Sequence, residues 1–163
     1  MIECILNIEG IIMKAINLAY YIINRCIENG NYISNLQLQK ILYFVNLLYL
    51  SDNKVFLLEK NENFEAWQHG PVIPEIYREF SINGGMKIYN KKDILDASLK
   101  DENGNEIEED KIVFIDKTID YLSKIDPWKL VEYSHSSTGA WYHTYHHGKT
   151  VINKELIQKE AGV

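Results

Sequence analysis

Ile12, Ala15, Ile16, Ala19, Ile23, Cys26 and Ile27 recur at spacings of three and four, which puts them on one face of a helix. Asn29-Gly30 supplies the stop, because glycine takes the left-handed cap conformation at little cost. Ser34 followed three residues later by Gln37 predicts a capping box. Behind it Leu38, Ile41, Leu42, Val45, Leu48 and Tyr49 form a second apolar stripe, closed by Ser51-Asp52-Asn53. The short connection predicts an antiparallel helix pair.

The period then changes. Val55 to Leu58 and Phe64 to Trp67 are short runs of branched and aromatic residues around a polar 60–63 segment, the pattern of a small hairpin. Gly70-Pro71 reads as a sharp turn out of the second strand. Pro74 suits the first turn of a third helix, with Ile76, Tyr77 and Phe80 on its inner side and Asn83-Gly84-Gly85 closing it. Residues 86–89 suggest one more short strand. Residues 93–110 are polar and acidic, with a turn centred on 101–105, and are predicted to be a loop. Ile112, Ile115, Ile119 and Leu122 start a fourth helix. Asp126-Pro127 opens a short one through Tyr133, Ser136, Ser137 or Thr138 caps the helix carrying Trp141, and Asn153 begins a charged last helix. The predicted class is α+β, mainly α: a compact helical domain with a small β hairpin or sheet inserted after the second helix.

Composition narrows the picture. The 163 residues suit one domain spanning 1–163, with a core of its own. Lys and Arg total 17 against 23 Asp and Glu, a net charge of −6. Such a balance disfavours nucleic-acid binding, which needs clustered cations, and suits a partner with a basic surface. Cys4 and Cys26 have no CxxC spacing, so neither a disulfide framework nor a zinc ribbon is expected, and a reducing cytoplasm is the simple reading. The run from Ile11 to Ile27 is broken by Lys14, Asn17, Asn24 and Arg25, which argues for a buried helix rather than a membrane span.

Three histidine groups are candidates for chemistry. His69, in Trp67-Gln68-His69-Gly70-Pro71, has the titration range of a general base, but no nucleophile elbow accompanies it, and an architectural role is expected. His143 and His147 have the four-residue spacing of helical zinc ligands. They lack the HExxH glutamate and an obvious third ligand, so no metal is expected. Ser134-His135-Ser136-Ser137 places hydroxyls beside an imidazole, yet catalytic triads converge from separate elements. No cofactor and no catalytic residue are expected.

The order of three runs carries a resemblance. Leu36-Gln37-Leu38-Gln39-Lys40-Ile41-Leu42-Tyr43-Phe44, then Glu65-Ala66-Trp67-Gln68-His69-Gly70-Pro71-Val72-Ile73-Pro74-Glu75-Ile76-Tyr77, then Tyr133-Ser134-His135 with Trp141 beyond, together resemble the Panacea domain, also called the SocA-like or GepA-like phage-associated domain. The likeness runs from about Ala15 to the end. It leaves 1–12 as an N-terminal extension and raises Met13 as an alternative start. The resemblance implies an antitoxin that neutralises a protein toxin by direct binding, one branch of the family delivering its toxin to an ATP-dependent protease. It marks Gln39, Lys40, Tyr43, Trp67, Gly70, Pro71, Val72, Pro74, His135 and Trp141 as family positions expected mostly to hold the fold. Ser134 stands where related sequences more often carry threonine.

Eleven tyrosines supply amphipathic anchors for an interface, and Tyr77, Tyr142 and Tyr145 are the expected partner contacts. Two other functions fit the same sequence: a phage-borne inhibitor of a host or competitor defence nuclease, such as an anti-CRISPR, and a hydrolase using His69 or His135.

Overall fold

A computed structural model describes residues 12–92 and 99–163. Cys4, most of the 1–12 extension and residues 93–98 of the acidic loop lie outside the described residues. Helix α1 (Ala15–Glu28) precedes α2 (Asn35–Asn53). A two-stranded antiparallel hairpin, β1 (Glu65–Trp67) and β2 (Gly70–Val72), feeds α3 (Pro74–Glu79) and a 3-10 turn at Ser81–Asn83. Then come α4 (Glu109–Ser123), α5 (Pro127–Ser134), α6 (Ala140–Tyr145) and α7 (Lys154–Ala161). The class is therefore α+β and mainly α.

α2 is the axis. It packs against α1, α3, α4, α5, α7 and β2, so it is buried almost all round, as a central helix must be when it has neighbours on every side. Its one apolar stripe was too narrow a reading: Asn35, Gln37, Gln39, Lys40 and Asn46 are buried with the aliphatics, while Leu48 is exposed. The predicted capping box is present, with the Gln37 amide donating to Ser34 Oγ and the Ser34 amide donating to Gln37 Oε1. α1 is fixed to α4 by Arg25, whose guanidinium donates twice to Asp120 at 2.7 Å and pairs with Asp116 at 3.2 Å. Two donors meeting one carboxylate fix orientation as well as distance.

The hairpin differs from the predicted one. Val55–Leu58 is no strand: Leu58 makes only an isolated bridge to Met13. β1 pairs instead with Gly70–Val72 through a two-residue loop, Gln68-His69, in the register Glu65↔Val72 and Trp67↔Gly70. So Gly70-Pro71 is strand, not turn. Proline is tolerated because the sheet has only two strands and the missing donor costs no central ladder bond. The outer edge of β1 is covered by the chain near 150–152, where Ala66 N donates to Thr150 O and Ile152 N to Phe64 O. Residues 86–89 likewise form no strand, only a bridge from Lys87 to Ser34.

Two further expectations change. On α3, Ile76 and Phe80 are buried but Tyr77 is 39% exposed, because a six-residue helix can turn only one narrow face inward. The cap of α6 is Gly139, not Ser136, Ser137 or Thr138. The capping acceptor comes from α7, where Glu160 Oε2 takes the Ala140 amide at 3.0 Å.

Candidate functional site

The family positions converge on the junction between α2 and the hairpin. Gln39 and Lys40 are adjacent on α2, and both reach out of the helix to the incoming strand. The Ile73 amide donates to Gln39 Oε1 at 3.0 Å, and Gln39 Nε2 donates to Asn35 Oδ1 at 3.1 Å. Asn35 Nδ2 in turn donates to the Tyr77 carbonyl at 3.0 Å. This relay satisfies the main chain on both sides of Pro74, where a strand becomes a helix. Buried polar groups need such partners, since an orphaned one costs on the order of 1–3 kcal/mol.

Lys40 is 0% exposed, and its Nζ donates to the Pro71 carbonyl at 2.7 Å. Among the described residues no carboxylate forms a salt bridge with it. Burial alone pushes its ammonium down to about 7, because removing water penalises the charged form. Gly70 explains how so long a side chain fits beneath the strand. A Cβ there would stand 2.5 Å from Ser134 Oγ and 2.8 Å from Lys40 Cε, and the residue has φ +102°. Ser134 itself donates to the Val131 carbonyl at 2.7 Å, so its hydroxyl closes α5 rather than accepting as a cap.

On the other side of the hairpin the Trp141 indole donates to the Trp67 carbonyl at 2.7 Å. Trp141 is the centre of a three-ring stack: His135 lies 3.7 Å from it at an interplanar angle of 7°, and Tyr145 lies 4.7 Å away at 16°. Burial, followed by the charges of Lys40 and His69, holds the His135 imidazolium below its ordinary range. Tyr43 donates to Glu160 Oε2, the oxygen that also caps α6, so α2, α6 and α7 meet at one carboxylate. Glu160 has no sequence signature. Its partners lie 117 and 20 residues away.

A cleft of about 570 Å³ opens beside this junction. Leu36, Val72, Trp67, Tyr77 and Trp128 wall it, and Asn35, Gln39 and Lys40 line its inner side. His69, at the hairpin tip, sets its ring edge against Trp128, with centroids 5.2 Å apart. Trp128 is 59% exposed and Tyr77 39%, and the Tyr77 ring leans on Trp67 at 5.1 Å. Of the three expected contacts, Tyr77 is therefore at the cleft. Tyr145 is 40% exposed on α6 and joined to Tyr77 through Trp141 and Trp67. Tyr142 is partly buried and packs on the core. Trp128, the largest exposed ring of the group, is not among the contacts expected from the sequence. Its position just after Asp126-Pro127 was the available signal, because the first turn of a short surface helix leaves outward positions uncovered.

α6 ends at Tyr145, so His147 lies past the helix; its ring nevertheless stands 6.5 Å from that of His143, and its Nδ1 lies against the His143 carbonyl. Among the described residues, no helix is long and apolar enough to cross a membrane.

Residues 38–142 match the family described as "Antitoxin SocA-like, Panacea domain". The chain is 39% identical over 115 residues to "Antitoxin SocA" of Caulobacter vibrioides (strain NA1000 / CB15N), a match covering 67% of this chain and 58% of that protein. The chain thus spans somewhat over half the length of that curated relative. No solved structure matches it. The matched residues include both halves of the α2–hairpin junction and the His135–Trp141 stack.

Proposed function

The chain belongs to the antitoxin SocA-like, Panacea domain family, and on that premise we propose that it is an antitoxin that binds a toxic protein and holds it inactive. The observation that carries this reading is the match over residues 38–142 together with 39% identity to a curated antitoxin. The mechanism we favour is steric occupancy without catalysis. Its geometric support is the use made of the imidazoles: His135 is a packing ring against Trp141, and His69 braces Trp128 at the rim of the cleft.

The docking face would be the aromatic margin of that cleft. Tyr77 and Trp128 are partly exposed rings standing on a scaffold braced by the Gln39–Asn35 relay and the Lys40–Pro71 bond. Rigid rings lose little entropy on binding and often carry most of an interface's energy. A stable complex buries about 1,600 Å² in total, far more than the cleft alone, so the neighbouring surface must contribute. The net charge of −6 favours encounter with a basic partner.

Co-expression with the protein encoded by the neighbouring reading frame tests the proposal. An antitoxin restores growth and forms a complex that survives size-exclusion chromatography. Occupancy leaves the toxin at an unchanged level, whereas delivery to an ATP-dependent protease lowers it. Failure of both rescue and complex formation would overturn the reading.

A further inference from the structure

The chain contains three Asn-Gly pairs, Asn29-Gly30, Asn83-Gly84 and Asn103-Gly104. Glycine leaves the following amide nitrogen unshielded, so that nitrogen can close on the asparagine carboxamide where the backbone is free to swing. The fold restrains the three pairs to different degrees.

Asn29 is held most firmly. Its Nδ2 donates to Asp120 Oδ1 at 2.9 Å, and Arg25 clamps the same carboxylate. The next two amides, of Gly30 and Asn31, donate back into α1 at the Ile27 and Cys26 carbonyls. Asn103 has a free carboxamide, but Asp101 ties down its turn. Asp101 Oδ1 takes the Asn103 and Asn105 amides at 2.9 and 2.8 Å, and the Asp101 carbonyl takes the Gly104 amide at 3.0 Å.

Asn83 is the least restrained. Among the described residues its carboxamide has no hydrogen-bond partner. It ends the single 3-10 turn Ser81–Asn83, whose strained hydrogen-bond geometry makes such turns weak. One bond, to the Ser81 carbonyl at 3.0 Å, holds the Gly84 amide. Ile82 is 94% exposed, and a Cβ on Gly84 or Gly85 would meet nothing within 4 Å. Opening this turn therefore disturbs no core packing, which sets a low free energy for local opening.

We propose that Asn83-Gly84 is a self-modification site, converting to aspartate and isoaspartate in the folded protein. The Gly84 amide nitrogen attacks Asn83 Cγ, the Cγ–Nδ2 bond breaks, and Nδ2 leaves as ammonia with the proton that Gly84 gives up. The new N–Cγ bond closes a five-membered succinimide. Water then opens the ring. Breaking N–Cγ gives aspartate, and breaking the bond to the main-chain carbonyl carbon gives isoaspartate, with the chain rerouted through Cβ and Cγ. Water is the one co-reactant, and nothing is oxidised or reduced.

Gly84 and Gly85 line the cleft beside Trp67, Tyr77 and Trp128. Conversion thus adds a negative charge to that margin, and a methylene to its backbone in the isoaspartate form. Its meaning for a docked toxin rests on the antitoxin reading. The conversion itself is measured on the isolated chain and stands or falls without a toxin.

Cleavage after Lys and Arg puts the three pairs on separate peptides, 26–40, 79–87 and 101–111. Purified protein is aged at mildly alkaline pH, and mass spectrometry of these peptides follows the exchange of NH₂ for OH. Labelling by an isoaspartyl methyltransferase identifies the rerouted backbone. In the folded protein Asn83 should convert fastest, Asn103 next and Asn29 at least tenfold more slowly than Asn83. In urea the three rates should converge. Asn83→Gln, whose longer side chain closes a ring poorly, should silence peptide 79–87 and leave the Asn103 rate unchanged. An Asn83 rate no faster than that of Asn29, a folded-state lead by Asn103, or the same spread of rates in urea overturns the proposal.

Discussion

Gly70 and Lys40 fit together only because one of them has no side chain: a Cβ on Gly70 would lie 2.8 Å from Lys40 Cε and 2.5 Å from Ser134 Oγ. The backbone there also has φ +102°. Gly70→Ala therefore meets strain and overlap at once, and the expected loss is on the order of 3 kcal/mol. Gly85 lies on the same cleft with open space around it and no positive φ. Gly85→Ala should stay within about 0.5 kcal/mol of wild type. Urea denaturation followed by circular dichroism compares the two.

Lys40 predicts a pH dependence of unusual sign. Its folded value of about 7 lies below the ordinary lysine value near 10.4. Below pH 7 the group is protonated in both states and the full burial cost is present. From 7 to about 10.4 the unfolded chain binds a proton that the folded chain does not, so stability rises with pH, by up to about 1.4 kcal/mol per unit. Buried acids act oppositely above their unfolded values: Cys26, pushed up to about 11, loses stability as pH rises above about 9. The comparison therefore belongs between pH 7 and 9. Over that window wild type should gain about 2 kcal/mol relative to Lys40→Met in denaturant titrations. Parallel curves for the two proteins would mean that the ammonium is solvated.

What the sequence revealed of all this divides by distance along the chain. The Ser34–Gln37 box and the Asp126-Pro127 helix start involve residues at most three apart, and both stand where the pattern put them. The hairpin was displaced by one segment because Gly-Pro carries a strong turn signal, while two short strands at the margin of a helical core leave almost no periodicity to count. The run from Leu38 to Phe44 marks Lys40, but nothing within it says that its ammonium is enclosed. The enclosing carbonyl comes from Pro71, on the far side of a connection without regular structure. The cap of α6 was misassigned for the same reason, since local hydroxyls were available and the carboxylate that won arrives from α7.

That carboxylate makes a measurable joint. Glu160 accepts from both the Tyr43 hydroxyl and the Ala140 amide, and burial beside it keeps the Tyr43 phenol protonated well above its usual range. Glu160→Ala leaves a hydroxyl and a helix-start amide without partners, an expected loss of about 3 kcal/mol. Tyr43→Phe removes one donor and leaves the Ala140 bond, so about 1 kcal/mol is expected. The double variant should cost less than the sum, with a coupling near 1 kcal/mol in a double-mutant cycle. Simple additivity would show that the phenol and the carboxylate do not share an interaction in solution.

The three tyrosines separate packing from docking. Tyr77 and Tyr145 are each more than a third exposed, and each leans on a tryptophan, Trp67 and Trp141 respectively. Their alanine variants forfeit an aromatic pair and little core, so a stability change of about 1 kcal/mol is expected. Tyr142 packs on the core, and Tyr142→Ala should cost about 2 kcal/mol, because removing it opens space that the neighbours cannot fill. If the aromatic margin is the docking face, Tyr77→Ala should weaken toxin binding at least tenfold with its melting temperature nearly kept. Binding by isothermal titration alongside melting by calorimetry decides the matter. A Tyr77→Ala protein that melts far below wild type would place the ring in the fold, and one that binds unchanged would move the interface away from the cleft.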